Sequence, residues 1–209
     1  MCDTKAYIDF QMSGQLDMII GCMFSQKTTR LIESIRKHRL IGNRLLVLTH
    51  KLDTRYNSNG QVEVVSHDLI KNAVAVTRLM DVSRAEHPEH SNLMMAHCVF
   101  IEEAQFFTDL EEFVKMCVSG MKKYVCLSGL DGDFRRLPFK NIMNLIPYAD
   151  NVTKCKALCM VCKDGTLAPF TKKISVRDAD NSDLGESSNI EVGGAELYKP
   201  MCRYHYENS

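Results

Sequence analysis

Leu16-Asp17-Met18-Ile19-Ile20-Gly21-Cys22-Met23-Phe24-Ser25-Gln26-Lys27-Thr28-Thr29 carries an apolar strand into a glycine, a short loop and a Lys-Thr pair that opens a helical pattern. Strand, tight loop and helix start form the context of a phosphate-binding loop, where backbone N–H groups and the helix N-terminus face one anion together. In that pattern Gly21, Cys22, Met23, Phe24, Ser25, Gln26, Lys27, Thr28 and Thr29 are the candidate phosphate-binding residues. Lys27 brings a mobile positive charge to the β- and γ-phosphates, and the Thr28 hydroxyl reaches Mg²⁺. The usual pattern is G-x-x-x-x-G-K-[ST], and Gln26 stands at its second glycine. If the backbone there needs a positive φ, a side chain costs about 1–2 kcal/mol.

Outward from this loop, short apolar runs alternate with amphipathic stretches, the signature of a parallel α/β sheet. Strands are expected at 16–20, 45–48, 62–65, 98–101 and 124–127, each nearly continuous in apolar residues, as strands covered on both faces are. Helices are expected at 27–40, where Leu31, Ile32, Ile35 and Leu40 recur at helical spacing, and at 69–80 and 110–118. The character changes near residue 149, where cysteines cluster. Residues 178–189 are polar, acidic and poor in groups to bury, and read as a mobile loop. The expected division is a phosphate-loop α/β domain at 1–148 and a metal-binding unit at 149–209.

Lys+Arg and Asp+Glu both number 26, so no global basic field argues for nucleic acid, and phosphate binding must come from a local site. No apolar run approaches the roughly 20 residues that span a bilayer, and the first residues carry Asp3, Lys5 and Asp9 rather than a signal-peptide core. Nine cysteines, an odd number, fit a reducing compartment with some thiols buried and a few recruited to a metal. The expected location is cytoplasmic.

Two further constellations carry chemistry. Glu102 and Glu103 follow the apolar run ending at Ile101, at the C-terminal tip of a buried strand, where such sheets bind ligands. Consecutive strand residues point to opposite sides, so one carboxylate can organise Mg²⁺ while the other takes a proton from an attacking hydroxyl. Taken singly, each would read as a solvated strand end. Cys159 and Cys162, and Cys202 and His205, are two ligand pairs with members three positions apart, a spacing that suits a tetrahedral Cys₃His structural zinc site. Cys155 as a substitute ligand, or Cys202 and His205 as ordinary tail residues, are the competing readings. His87, His90 and His97 are assigned no role.

Taken together, these segments resemble the type II thymidine kinases, the zinc-containing family of cells, bacteria and large DNA viruses. The likeness runs from Gly14-Gln15-Leu16 through the loop, Asp53-Thr54-Arg55-Tyr56, Ser66-His67-Asp68, Ile101-Glu102-Glu103-Ala104-Gln105-Phe106-Phe107 and the run from Leu130 to Phe139. It ends with the first cysteine pair, Thr171-Lys172-Lys173 and the run from Gly193 to His205. The resemblance implies transfer of the ATP γ-phosphate to the 5′-hydroxyl of thymidine, or of deoxyuridine, with Glu103 as general base. It groups Glu102, where the family usually has aspartate, Asp53 and Gln105 with ATP and Mg²⁺, and Arg55 with the charge that develops during transfer. Met23, Phe106, Phe134 and Tyr198 are matched to the base pocket, although Met23 and Phe106 alone would read as core. The segment 173–191 is matched to a lid over the nucleoside, and a homotetramer is implied. Cys22 stands where the family commonly has proline, and His205 where it usually has cysteine. A homologue that keeps fold, zinc and nucleoside binding but transfers poorly, because of Gln26 and Glu102, is the alternative. A nucleic-acid-stimulated ATPase is disfavoured by the neutral charge. The kinase reading requires Lys27 and Glu103 to converge on one cleft.

Overall fold

Leu16, Met18 and Ile20 point to one side of strand β1 (Gln15–Gly21) and Ile19 to the other, and this alternation, repeated strand by strand, builds a sheet with two buried faces. The computed structural model describes residues 13–52, 73–174 and 197–208. The strand expected at 62–65, the loop at 178–189, most of the segment 173–191, Asp53 and Arg55 lie outside them. Besides β1, the main sheet contains β2 (Leu45–His50), β3 (Val74–Val76), β4 (Cys98–Ile101), β5 (Tyr124–Gly129) and β6 (Asn151–Cys155). All pair in parallel, in the order β3-β2-β4-β5-β1-β6.

Helix α1 (Lys27–Leu40) covers one face, setting Leu31 and Ile35 against Ile19, Val47, Phe100 and Cys126. The other face meets α3 (Leu110–Lys115), whose Leu110, Phe113 and Val114 pack on the layer of Met18, Leu48, Val99, Ile101 and Leu127. The helices α2 (His90–Met95) and α4 (Lys140–Met143) add Leu93 and Ile142 to the same layer. Each such side chain, fully buried, contributes about 1.5–3 kcal/mol. Beyond β6 the chain forms two antiparallel pairs, β7 (Ala157–Leu158) with β8 (Leu167–Ala168), and β9 (Phe170–Lys173) with β10 (Tyr198–Met201). A short helix, α5 (Arg203–Glu207), follows.

The α/β class and the expected strands within the described residues are found. Three details differ. Residues 74–76 form a strand where the helix at 69–80 was expected, and a 3₁₀ turn follows at Leu79–Ser83. Val74, Ala75 and Val76 pair with Leu48, Thr49 and His50, and sheet pairing of β-branched residues outweighs a weak helical period. The helix expected at 110–118 changes after Lys115 into a π-turn at Met116–Gly120. β6, which the sequence reading did not include, lies beside β1, with Gly21 opposite Cys155.

The backbone of the loop between β1 and α1 has positive φ at Gly21 (147°), Phe24 (62°) and Gln26 (64°). A Cβ on Gly21 would lie 2.3 Å from the Cys155 carbonyl oxygen, so glycine is required by the strand beside it. Gln26 stands in the left-handed region just ahead of α1, is exposed, and makes no side-chain cap bond. Gly21→Ala is expected to lower unfolding stability by at least about 2 kcal/mol, and Gln26→Gly to raise it by about 0.5–1 kcal/mol. Urea titration of the two variants checks both signs.

Candidate active site and metal centre

Glu102 and Glu103 leave the tip of β4 in different directions because the backbone turns sharply there. Glu102 continues the α1-facing series of Cys98 and Phe100, whereas Glu103 takes a left-handed conformation (φ 52°, ψ 45°) and starts a 3₁₀ turn. Glu102 is 1% exposed. Its Oε1 accepts the Thr28 hydroxyl at 2.5 Å and its Oε2 accepts the Ser128 hydroxyl. The tips of β1 and β4 are not neighbours, since β5 lies between them, and Ser128 of β5 closes that gap.

Lys27 is buried behind the loop, with Nζ donating to the Cys22 carbonyl at 2.8 Å, and the Ser25 hydroxyl donates to the same oxygen at 2.8 Å. Burial pushes the Lys27 ammonium below the ordinary lysine value, while the nearby carboxylates of Glu103 and Glu102 work in the opposite direction. Lys27 and both carboxylates thus share one electrostatic environment. Glu103 is half-buried and its Oε2 accepts the side-chain amide of Gln105. The Gln105 Oε1 in turn accepts Leu130 N–H at 3.0 Å. Asn141 pins the turn after Glu103 by donating to the carbonyls of Gln105 (2.9 Å) and Phe107 (2.8 Å). Sequence reading missed both Ser128 and Asn141. A hydroxyl at the end of the apolar run 124–127 was a signal for Ser128; nothing local marks Asn141.

Of the four residues matched to a base pocket, Phe134 and Tyr198 are together, with ring centroids 6.3 Å apart. The Met23 N–H donates to the Thr171 hydroxyl at 3.0 Å, tying the phosphate loop to β9. Phe106 is half-buried with its ring centroid 5.6 Å from that of His50. A cavity of about 200 Å³ lies between loop, β9 and the turn at 131–138, lined by Cys22, Asp131, Asp133, Arg136, Phe170 and Thr171 among others. Its walls are thus neighbours of the expected base residues rather than those residues themselves. A Lys154–Asp131 ion pair at 2.8 Å braces that turn against β6.

Cys159, Cys162, Cys202 and His205 converge, their donor atoms all within 4.8 Å of one another. The Cys162 and Cys202 sulfurs are 3.8 Å apart, and His205 Nδ1 lies 3.7, 3.2 and 3.3 Å from the sulfurs of Cys159, Cys162 and Cys202. Four bonds of about 2.0–2.3 Å to a tetrahedral ion put donors roughly 3.5–3.8 Å apart, so the set fits zinc. Burial raises the Cys159 thiol, but nearby N–H groups of Cys162, Cys202 and Val161 outweigh it and bring the value down to about 6. Cys162 is pushed up to about 11 by burial and by its cysteine neighbours, and a cation would offset that penalty. Cys155 packs instead into the α1-facing core, which removes it as an alternative ligand. His97 bonds to Arg44 on the surface and stands apart from the cluster.

The family model described as thymidine kinase matches residues 14–206. The thymidine kinase of myxoma virus (strain Uriarra) is 38% identical over 197 residues, covering 92% of this chain and 96% of that protein. That of vaccinia virus (strain Western Reserve) is 34% identical over 200 residues, covering 94% and 98%. The cytosolic thymidine kinase of Cricetulus griseus is 34% identical over 195 residues, covering 92% of this chain and 73% of that protein. A match extending from the first residues of β1 to the last turn of α5, through phosphate loop, acidic pair and cysteine cluster alike, means that this chain belongs to the thymidine kinase family.

Proposed function

We propose that this chain transfers the γ-phosphate of ATP to the 5′-hydroxyl of thymidine, giving dTMP for DNA precursor salvage. The observation that carries the reading is the carboxylate of Glu102, held at once by the loop hydroxyl of Thr28 and by Ser128, which joins phosphate loop and acidic strand tip in one site. A hydroxyl and a carboxylate oxygen 2.5 Å apart are hard donors of the kind Mg²⁺ prefers. Thr28 and Glu102 would hold that ion, which would supply positive charge to offset that of the transferring phosphate group.

The protein's own contribution is positioning and charge. The loop at 21–28 holds the phosphates, and the Lys27 ammonium offsets charge on the γ-phosphoryl group as it departs. Glu103, oriented by Gln105, takes the proton of the 5′-hydroxyl as that oxygen attacks in line. Asp53 and Arg55 complete the transfer region by family likeness. Phe134 stacks on the base, with Tyr198, Met23 and Phe106 around it. A pocket that gains only one methyl contact discriminates weakly, about 1–3 kcal/mol, so deoxyuridine is a second substrate. Cys159, Cys162, Cys202 and His205 would hold zinc as a structural ion, and division at 148/149 separates phosphate-loop and zinc parts, joined through β6. Among the described residues no helix is long and apolar enough to cross a membrane. A cytoplasmic homo-oligomer, a tetramer by family likeness, acting on small molecules and not on nucleic acid, completes the reading.

Three outcomes are expected. Glu103→Gln lowers kcat by about 10²–10⁴ while the calorimetric thymidine Kd stays within about threefold; retained turnover removes Glu103 from the base role. Chelation, or Cys159→Ser, releases one metal per chain and unfolds the region around β7–β10, read by metal analysis and hydrogen exchange; an active chain that never held metal overturns the assignment. Lys27→Met abolishes transfer yet stabilises the fold at neutral pH. Burial holds Lys27 below its unfolded value of 10.5, so between the folded value and 10.5 the unfolded chain binds more protons. Wild-type stability therefore rises relative to the variant over that window, and the variant's advantage fades as pH approaches 10.5. Melting curves from pH 7 to 10.5 measure that slope.

A further inference from the structure

Phe134 sits at the tip of a tight turn that satisfies most of its own backbone. Asp133 N–H donates to the Leu137 carbonyl at 2.9 Å, Arg136 N–H to the Asp133 carbonyl at 3.0 Å, and the Asp133 carboxylate accepts the N–H groups of Arg135 and Leu137, both at 2.8 Å. Gly132 and Pro138 close the turn as an isolated bridge, and Arg136 takes a φ of 68°. The carbonyl of Phe134 is instead held from outside, by the hydroxyl of Tyr206 at 2.6 Å. That residue belongs to α5, some seventy positions later in the chain.

Tyr206 is itself fixed on every side. Its N–H donates to the Cys202 carbonyl at 2.9 Å, and its carbonyl accepts the Lys172 ammonium at 3.0 Å. Its ring carries the Arg136 guanidinium at 4.5 Å and the Lys172 ammonium at 4.9 Å from the centroid, and Arg136 also pairs with Glu207 at 3.3 Å. Cation–aromatic contacts of this kind resist rotation of the ring. Cys202 and His205, two of the four clustered metal-ligand candidates, flank the same turn. The hydroxyl is thus a rigid arm from the metal-binding tail to the backbone of the residue read as the base-stacking face.

We infer that Tyr206 is a positioning residue for nucleoside binding: its hydroxyl sets the height and tilt of Phe134, and through that residue the affinity for the base. The inference rests on the proposed role of Phe134. Among the described residues the hydroxyl bonds the Phe134 carbonyl and reaches neither Glu102, Glu103 nor the loop at 21–28, so its removal changes nucleoside affinity and leaves chemistry and ATP binding alone.

The test uses the full, metal-loaded chain with Tyr206→Phe, which keeps the ring and deletes one oxygen, beside Phe134→Ala. For Tyr206→Phe, thymidine KM is expected to rise about three- to tenfold, the value of one lost hydrogen bond. Its kcat, ATP KM and metal content are expected to stay within about twofold. Wild-type thymidine KM in Tyr206→Phe, together with a raised KM in Phe134→Ala, overturns the inference and leaves the Phe134 reading standing. An unchanged thymidine KM in both variants overturns the Phe134 reading as well. Loss of metal, or a parallel fall in kcat, in Tyr206→Phe shows a structural role only and equally overturns it.

Discussion

A carboxylate buried to 1% exposure has to be satisfied at both oxygens, and at Glu102 the two donors come from different elements, Thr28 at the start of α1 and Ser128 at the end of β5. An ionised carboxylate without such partners would cost several kcal/mol to bury. The requirement therefore acts as a constraint on three elements at once. It holds the phosphate loop against the tip of β4 although no backbone ladder joins β1 to β4, and it leaves Glu103 free to turn the other way, toward Gln105. At Lys27, burial and the charge of the two carboxylates pull in opposite directions.

The same loop is braced from a second side. Gly21 lies against Cys155, the Cys22 thiol donates to the Ala168 carbonyl at 3.2 Å, and Met23 N–H reaches Thr171. The three partners come from β6, β8 and β9, and one apolar cluster includes Cys22 along with Cys159 and Cys202. The C-terminal strands are thus packed on the loop between β1 and α1. Gln26 fits this picture. It holds a left-handed backbone that glycine would hold more cheaply.

Much of the site was readable in order along the chain. The loop, the Glu-Glu pair and the two ligand pairs are each contiguous, and contiguous chemistry shows itself as spacing. Reading failed where residues distant in sequence meet. Asn141 holds the turn at Gln105 and Phe107 from over thirty positions away, and Tyr206 holds Phe134 from the far end of the chain. The stretch at 74–76 failed for a related reason, because its strand exists only by virtue of its parallel partner, β2.

By itself the sequence determined that an apolar strand feeds a lysine-bearing loop, that two carboxylates end another buried strand, and that three cysteines and a histidine stand at metal-ligand spacing. Local periodicity and covalent adjacency are enough for those statements. Tertiary structure alone decided that β5 separates the two functional strands and supplies the hydroxyl between them, that Cys155 is core while Cys202 joins the cluster, and that the tail reaches back to the turn at 131–138. Those outcomes depend on which buried polar groups find partners once the faces have packed, a condition satisfied between elements and not within any one of them.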